Sequence, residues 1–347
     1  MRIGFILNDL LNEHSPSATM RIAMTATNMG HEAWLMDVGD FTYNTDELVH
    51  ARARSVSGIN YETPELYYQD LCSEQAKLER ITVDDLDVLM LRNDPAADYQ
   101  RSWAQHAPIV FGRTAMRHGV IVLNDPNGLS KAIDKMYFQY FPESVRLQSL
   151  ISRNHDDIRQ FYHQHGNRII IKPIMGSAGR NVFMVQPEDA GNLSQMIDAI
   201  LRDGYVIAEE FMPQALEGDI RMLLINGRPL KVDGKYAAFR RTRSGEDIRS
   251  NLRAGGIPKP VKVTDEMLEL AEMVRPKLVQ DGIFFAGIDI VGNKLLEVNM
   301  FSPGGLKSSE KFEGVDFTGA IIEALEKKVH YMKYYHRNFD NVEMNTL

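Results

Sequence analysis

Residues 287–299 read Gly287-Ile288-Asp289-Ile290-Val291-Gly292-Asn293-Lys294-Leu295-Leu296-Glu297-Val298-Asn299, and this stretch decides the fold. Two short apolar runs flank a Gly-Asn turn signal, which predicts a β-hairpin. Side chains alternate along a strand, so Glu297 and Asn299 share one face while Leu296 and Val298 share the other. With a three-residue loop over 292–294, Asp289 stands opposite Glu297, and Ile288 and Ile290 join Leu296 and Val298 on the buried face. Two carboxylates and one amide oxygen then converge on a small volume. Like charges so close repel unless a cation lies between them. An all-oxygen set suits Mg²⁺, which keeps its remaining positions for water and substrate phosphates. Alone, the pattern also fits a solvated hairpin face carrying ordinary surface acids.

Upstream of the hairpin lies an arginine-rich stretch, Phe239-Arg240-Arg241-Thr242-Arg243-Ser244-Gly245, continuing through Arg249 to Arg253-Ala254-Gly255-Gly256. In an acidic chain such a loop attracts anions, and arginine suits carboxylate and phosphate because it donates in a planar fork. A solvated basic loop is the ordinary alternative. Before it, Tyr205-Val206-Ile207-Ala208-Glu209-Glu210-Phe211-Met212-Pro213 reads as a strand whose end offers backbone groups to a base, with Phe211 and Met212 as apolar walls. An ordinary strand end reads the same way. Further upstream, Ile169-Ile170-Ile171-Lys172-Pro173 is an apolar strand ending in a lysine, followed by Gly176-Ser177-Ala178-Gly179-Arg180. Small residues let backbone N–H groups approach an anion closely. A plain strand–turn–strand with a snorkelling lysine is the alternative. No Gly-Lys-Ser/Thr opens a helix here, so this is not a Walker A loop.

The first part of the chain alternates strands and helices. Residues 2–7 read as a strand, 17–29 as a helix ending before Gly30, and 32–38 as a second strand. Val88–Leu91 and Gly119–Leu123 follow as strands, the latter closed by the turn cluster Asn124-Asp125-Pro126-Asn127-Gly128, where a domain boundary is expected. The opening lacks a G-x-G-x-x-G, which argues against dinucleotide binding. Strands dominate from 205 to 299, interrupted by a helix between Thr264 and Asp281, and a last helix runs from Phe317 into Lys328. This order implies three mixed α/β pieces and not one doubly wound sheet.

Composition narrows the function classes. The chain has 347 residues, 44% hydrophobic and 25% charged, which suits a globular protein of two or three domains. The net charge of −8 argues against a general nucleic-acid binder. No run of about 18 apolar residues predicts a membrane span. Asn8, Asp9, Asn12 and Glu13 cut the opening apolar stretch too short for a signal peptide. The one cysteine, Cys72, sits among acids and forms neither an intramolecular disulfide nor a thiolate cluster, which makes the cytoplasm the simplest compartment.

In this order the elements resemble the ATP-grasp ligases, and they resemble the bacterial glutathione synthetase family most closely. The resemblance runs through Met36-Asp37-Val38-Gly39-Asp40, Ala51-Arg52-Ala53-Arg54, Leu91-Arg92-Asn93-Asp94-Pro95, Asp134-Lys135-Met136, Ile171-Lys172-Pro173, Gly218-Asp219-Ile220-Arg221 and Arg249–Gly256 to Glu297-Val298-Asn299-Met300-Phe301-Ser302-Pro303. It implies an α/β (α+β) ATP-grasp fold behind a Rossmann-like N-terminal domain at 1–124. A small lid subdomain at 125–204, a catalytic subdomain at 205–329 and a tail at 330–347 would follow. It implies that Lys135 and Lys172 hold the phosphates of ATP and that Gly176, Ser177, Ala178 and Gly179 close over them. Glu209, Glu210, Phe211 and Met212 would line the adenine and Asp219 the ribose. Asp289, Glu297 and Asn299 would bind Mg²⁺, with Mn²⁺ as a substitute, while Arg221, Arg241 and Arg249 neutralise substrate carboxylate and the transferring phosphate. Partners would be a dipeptide carboxylate and an amino acid, with no nucleic acid and no membrane, in a homo-oligomer. Two segments depart from the family pattern: the phosphate loop is less glycine-rich, and Gly304-Gly305-Leu306-Lys307-Ser308 stands where Thr, a small residue, an apolar residue and Arg are usual. The competing readings are a paralogous peptide or amino-acid ligase and a non-catalytic nucleotide-binding regulator. Intact Lys135, Lys172, Asp289, Glu297 and Asn299 count against the regulator.

Overall fold

The computed structural model describes residues 1–13, 17–176, 179–242, 255–335 and 339–347. The first sheet holds β1 (Arg2–Leu7), β2 (Glu32–Asp37), β3 (Phe41–Tyr43), β4 (Val49–Ser55), β5 (Lys77–Thr82), β6 (Val88–Leu91) and β7 (Ile121–Leu123) in the order β3-β4-β2-β1-β6-β7, with β5 beside β4. β1 runs parallel to β2 and β6, and β6 parallel to β7. Their uninterrupted apolar runs are what strands covered on both faces require, and every residue of β6 and β7 is buried. From β1 the chain moves outward to β2, then returns to β6 on the other flank, so strand order reverses between β1 and β6. Helix α1 (Ala18–Asn28) begins at the expected place because the Ser17 hydroxyl accepts from the Met20 N–H. The sequence reading passed over β3 to β5, α2 (Pro64–Leu71) and α3 (Ser102–Arg117). The cluster at 124–128 is a helix start, not a free turn: Asp125 accepts from the N–H groups of Asn127 and Gly128, and Pro126 opens α4 (Pro126–Lys131).

The second sheet comprises β8 (Ser149–Ser152), β9 (Ile169–Pro173), β10 (Phe183–Val185) and β11 (Val206–Glu210) in the order β10-β9-β11-β8. Ile169, Ile171, Val206 and Ala208 pack with α5 (His155–Gln164) and α6 (Leu193–Leu201) in a core of their own. That packing corrects the division expected at 204/205, because β11 belongs with this sheet and not with the strands that follow.

Those strands are β12 (Asp219–Ile225), β13 (Arg228–Pro229), β14 (Lys231–Val232), β15 (Lys235–Tyr236), β16 (Ala238–Thr242), β17 (Ile257–Lys259), β18 (Phe285–Val291) and β19 (Lys294–Asn299). They form an antiparallel sheet in the order β17-β16-β12-β18-β19, with β13 beside β12 and β14–β15 a separate ribbon. Helix α7 (Asp265–Gln280) starts behind the Thr264 cap, as expected. Helices α8 (Leu306–Glu313), α9 (Phe317–Tyr335) and α10 (Asn341–Thr346) complete the chain. The last helix was expected to stop near Lys328, leaving a polar tail. Instead α9 continues to Tyr335, and α10 folds back onto β7, where Asn341 bonds both the N–H and the C=O of Val122.

Candidate active site

A cavity of about 900 Å³ lies where the three sheets meet. The β18–β19 hairpin forms one wall, and its register is the first test of the sequence reading. Asp289 pairs with Glu297, as expected, but by a different route. The turn has two residues, Gly292 and Asn293, and the extra residue sits in the strand as a bulge between the Ile290–Leu295 and Asp289–Glu297 pairs. The bulge corrects one side-chain assignment: Leu295 is buried in the core, whereas Leu296 borders the cavity.

Asp289 and Glu297 face each other but have different partners. Asp289 is 3% exposed and receives both Arg221 Nε and Nη2. A second guanidinium reaches it from Arg241 Nη2 at 2.8 Å, and Asn299 Nδ2 donates at 3.3 Å. The strand register makes this inevitable: Arg221 pairs with Asp289 across β12–β18, and Asp219 pairs with Arg241 across β12–β16. Arg241 also forms a fork with Asp219, at 2.6 and 2.9 Å. Burial alone would raise the Asp289 pKa, but Arg221 and Arg241 more than offset it and hold the carboxyl below its ordinary range. Burial likewise opposes the charge on Arg241, and Asp289 and Asp219 override it, raising its pKa. Arg221 and Arg241, expected to neutralise substrate carboxylate and the transferring phosphate, direct their forks in this structure at Asp289 and Asp219. Glu297, with a side chain 41% exposed, lies 3.5 Å from Lys135 Nζ.

Among the described residues no three His, Cys, Asp or Glu side chains are grouped for a metal. The trio here is two carboxylates and an amide, all hard oxygen donors of the kind Mg²⁺ prefers. Asn299 spends its nitrogen on Asp289, which leaves its carbonyl oxygen as a donor, and the half-exposed Glu297 offers two more oxygens. The donor chemistry fits a divalent cation.

Opposite the hairpin, Lys172 on β9 meets Glu209 on β11 at 2.7 Å, and the Lys135 N–H donates to the Ile174 carbonyl at 3.0 Å. Glu210 exchanges bonds with Gln148, its N–H donating to the backbone C=O and its carboxylate accepting from the N–H. β11 ends there, and Phe211 carries the Arg168 guanidinium on its ring. Gly176, Gly179, Lys135, Lys172 and residues 209–212 all border the cavity, as do Asp219, Arg221 and Arg241. Ser177, Ala178 and Arg249 lie outside the described residues. Asn8, Arg21 and Arg92 border it too, and the sequence reading gave them no role. The available signal was position: Asn8 and Arg92 each directly follow an apolar parallel strand.

Solved structures share this layout. D-cycloserine synthetase DcsG superimposes with a TM-score of 0.62 at 13% identity, covering 93% of this chain and 99% of that one. The ATP-grasp ligase PsnB, captured with a minimal precursor, Mg and ADP, gives 0.59 at 15% identity, covering 94% and 98%. The D-alanine-D-alanine ligase from Coxiella burnetii gives 0.56 at 10% identity, covering 97% and 99%. The layout is the ATP-grasp fold, and the match of residues 134–314 to an ATP-grasp ligase domain makes the chain an ATP-grasp ligase. Enzymes of the class use ATP with Mg²⁺.

Sequence comparison narrows the class. Residues 1–130 match the N-terminal domain of prokaryotic glutathione synthetase, and residues 134–314 match its ATP-grasp domain. The glutathione synthetase of Synechocystis sp. (strain ATCC 27184 / PCC 6803 / Kazusa) is 30% identical over 333 residues, covering 94% of this chain and all of that one. That of Vibrio cholerae is 30% identical over 334 residues, covering 95% and 98%. The chain belongs to the prokaryotic glutathione synthetase family. Among the described residues no helix is long and apolar enough to cross a membrane.

Proposed function

We propose that the protein is a glutathione synthetase, joining γ-glutamylcysteine to glycine with ATP and releasing ADP and phosphate. The observation that carries the reading is the pairing of Asp289 with Glu297 on a cavity wall that also receives Lys135, within a full-length family match. Lys135 and Lys172 hold the phosphates, and residues 176–179 close over them. Glu209, Glu210, Phe211 and Met212 line the base, and Asp219 stands near the ribose. Asp289, Glu297 and Asn299 hold Mg²⁺ or Mn²⁺, which neutralises phosphate oxygens when bound. Arg221 and Arg241 keep Asp289 ionised and in place, and Arg249 serves the substrate carboxylate or the transferring phosphate.

The chemistry has two displacements. A carboxylate oxygen of γ-glutamylcysteine attacks the γ-phosphorus, the bond to the β-phosphate oxygen breaks, and ADP leaves. The glycine nitrogen then attacks the acyl carbon, the carbon–oxygen bond to phosphate breaks, and the nitrogen loses a proton as the amide forms. Such transfers need positioning and charge neutralisation more than a protein nucleophile, and the cavity supplies cations for both. Compartment and assembly follow the family reading: a cytoplasmic homo-oligomer.

Phosphate release in the presence of Mg²⁺–ATP tests this. It should require both γ-glutamylcysteine and glycine and yield glutathione in equal amount. Release with another dipeptide–amine pair, and none with this one, would overturn the substrate assignment. One observation favours that second reading, a paralogous ligase: the divergent segment 304–308 borders the cavity along its whole length.

A further inference from the structure

Asp281 closes α7, four residues before β18 begins. The C-terminus of a helix carries partial negative charge, so a carboxylate is disfavoured there and capping does not explain this residue. It is 1% exposed, and donors from three places in the chain converge on it. Lys131 Nζ, at the end of α4, approaches Oδ1 at 2.6 Å. Lys277 Nζ, one turn back on α7, approaches Oδ2 at 2.8 Å. The Tyr137 hydroxyl donates to the same Oδ2 at 2.7 Å. Burial alone would raise the Asp281 pKa, but Lys131, Lys277 and Tyr137 together override it and hold the carboxyl below its ordinary range.

Tyr137 is the partner that leads to the chemistry. Its side chain is buried, meets Phe141 edge to face with ring centres 5.5 Å apart, and has Lys277 Nζ 5.5 Å from its own centre. It stands on the 3₁₀ helix Lys135–Tyr140, whose first residue is Lys135. With about three residues per turn, positions two apart leave the axis on different sides. Tyr137 thus turns to Asp281, while Lys135 reaches Glu297 on the hairpin at 3.5 Å. At the start of this helix Asp134 accepts from the Met136 N–H, and the Lys135 N–H donates to the Ile174 carbonyl. Those bonds fix where the helix begins and leave its rotation about that point open. The bond from Tyr137 to Asp281 sets the rotation. A lysine ammonium rides on a flexible four-carbon stem, so the direction in which the stem leaves the backbone decides what it meets. Tyr137 borders the cavity, and Asp281 is not among the described residues that line it.

We propose that Asp281 is a positioning residue: through the Tyr137 hydroxyl it orients the helix from which Lys135 reaches the hairpin and the nucleotide phosphates. The proposal rests on the reading above for the role of Lys135. One buried carboxylate at the foot of β18 thereby holds the lysine in step with the strand that carries Asp289.

The test titrates the Mg²⁺ complex of AMPPNP, a non-hydrolysable ATP analogue, into the full chain and reads the dissociation constant by calorimetry. The variants are Asp281→Ala, Tyr137→Phe, Lys135→Ala and the double variant Tyr137→Phe with Lys135→Ala. Tyr137→Phe keeps the ring and loses only the hydroxyl. It should weaken the nucleotide complex about fivefold, the worth of one hydrogen bond, with the KM for γ-glutamylcysteine unchanged. Asp281→Ala should weaken it at least as much; should that variant fail to fold, Tyr137→Phe carries the comparison. In the Lys135→Ala background the loss of the hydroxyl should add nothing, because its effect passes through that lysine. Equal weakening in both backgrounds would overturn the proposal. So would a Tyr137→Phe chain that melts lower yet binds the nucleotide as wild type does, since the network would then serve packing alone. A wild-type chain that takes up no Mg²⁺–AMPPNP sinks the nucleotide reading and the proposal together, whereas wild-type uptake unmoved by Tyr137→Phe sinks the proposal only.

Discussion

At the scale of single residues, Asp289 and Glu297 are carboxylates facing each other across one hairpin, yet their surroundings assign them opposite duties. Asp289 is buried beneath two guanidinium groups, and removing its charge leaves Arg221 without a carboxylate partner in the interior, while Arg241 keeps Asp219. Such a loss costs about 3–5 kcal/mol. Asp289→Asn should therefore lower the urea midpoint strongly as well as abolish turnover. Glu297 is half exposed, with a single lysine partner. Glu297→Ala should cut phosphate release by orders of magnitude while the melting temperature moves by no more than a degree or two. Near-normal turnover in that variant would remove the metal assignment. Lys328 makes a different residue-scale statement. Its ammonium is buried, donates to Asn226 Oδ1 and the Leu347 carbonyl, and has its pKa pushed down to about 7 by burial. Between pH 7 and the ordinary lysine range near 10.4, the unfolded chain binds this proton and the folded chain does not. Stability contributed by this group therefore rises with pH through that window. Melting curves at pH 7 and pH 9 should show the rise in wild type and a smaller one in Lys328→Met; identical slopes would rule it out.

At the scale of elements, what the sequence revealed and what it hid divide along a physical line. The hairpin, α1 and α7 were readable because local chemistry determines them: a Gly-Asn turn, a Ser17 cap and a Thr264 cap act within a few residues. The bulge that brings Asp289 opposite Glu297 was not readable, since a two-residue turn with a bulge and a three-residue turn give the same pairing at that position. The placement of β11 was also hidden, because its partners β8 and β9 are distant in sequence and its apolar alternation suits either sheet. Helix α4 shows the same limit. Asn124-Asp125-Pro126-Asn127-Gly128 has turn composition, but Asp125 caps a helix and Gly128 is pressed against α7's end, where a Cβ would sit 1.8 Å from the Asp281 carbonyl oxygen. Helix propensity alone makes glycine to alanine favourable by roughly 1 kcal/mol, whereas a clash with fixed backbone opposes it. The steric term should win. Gly128→Ala is expected to destabilise by at least about 2 kcal/mol and to raise the KM for ATP, because α4 leads into the segment carrying Lys135. A more stable variant would show that the contact yields.

At the scale of the whole molecule, the segment expected to trail behind the fold joins its distant parts. Asn341 Oδ1 accepts from the Val122 N–H, and its amide nitrogen donates to the Val122 carbonyl and to Asp125 Oδ2, each at 2.8 Å. Asn345 donates to the same carbonyl at 3.0 Å, and Met344 is buried. One asparagine thus ties the edge strand of the first sheet to the residue that caps α4, with the cavity-lining Lys135 a few residues further on. No periodicity announces this, since Asn341-Val342-Glu343-Met344-Asn345 looks like any polar terminus and its partners lie more than two hundred residues upstream. A surface asparagine on a loose tail would change stability by less than about 0.5 kcal/mol when replaced. Three part-buried hydrogen bonds lost together should cost about 2–3 kcal/mol, and for a chain of this length each kcal/mol moves the melting temperature by roughly 2–4 °C. Asn341→Ala is therefore expected to melt at least about 5 °C below wild type, with a matching loss in Val342-to-stop truncations. A melting temperature unchanged within a degree would return the segment to the role of an appended tail and detach it from the placement of Lys135.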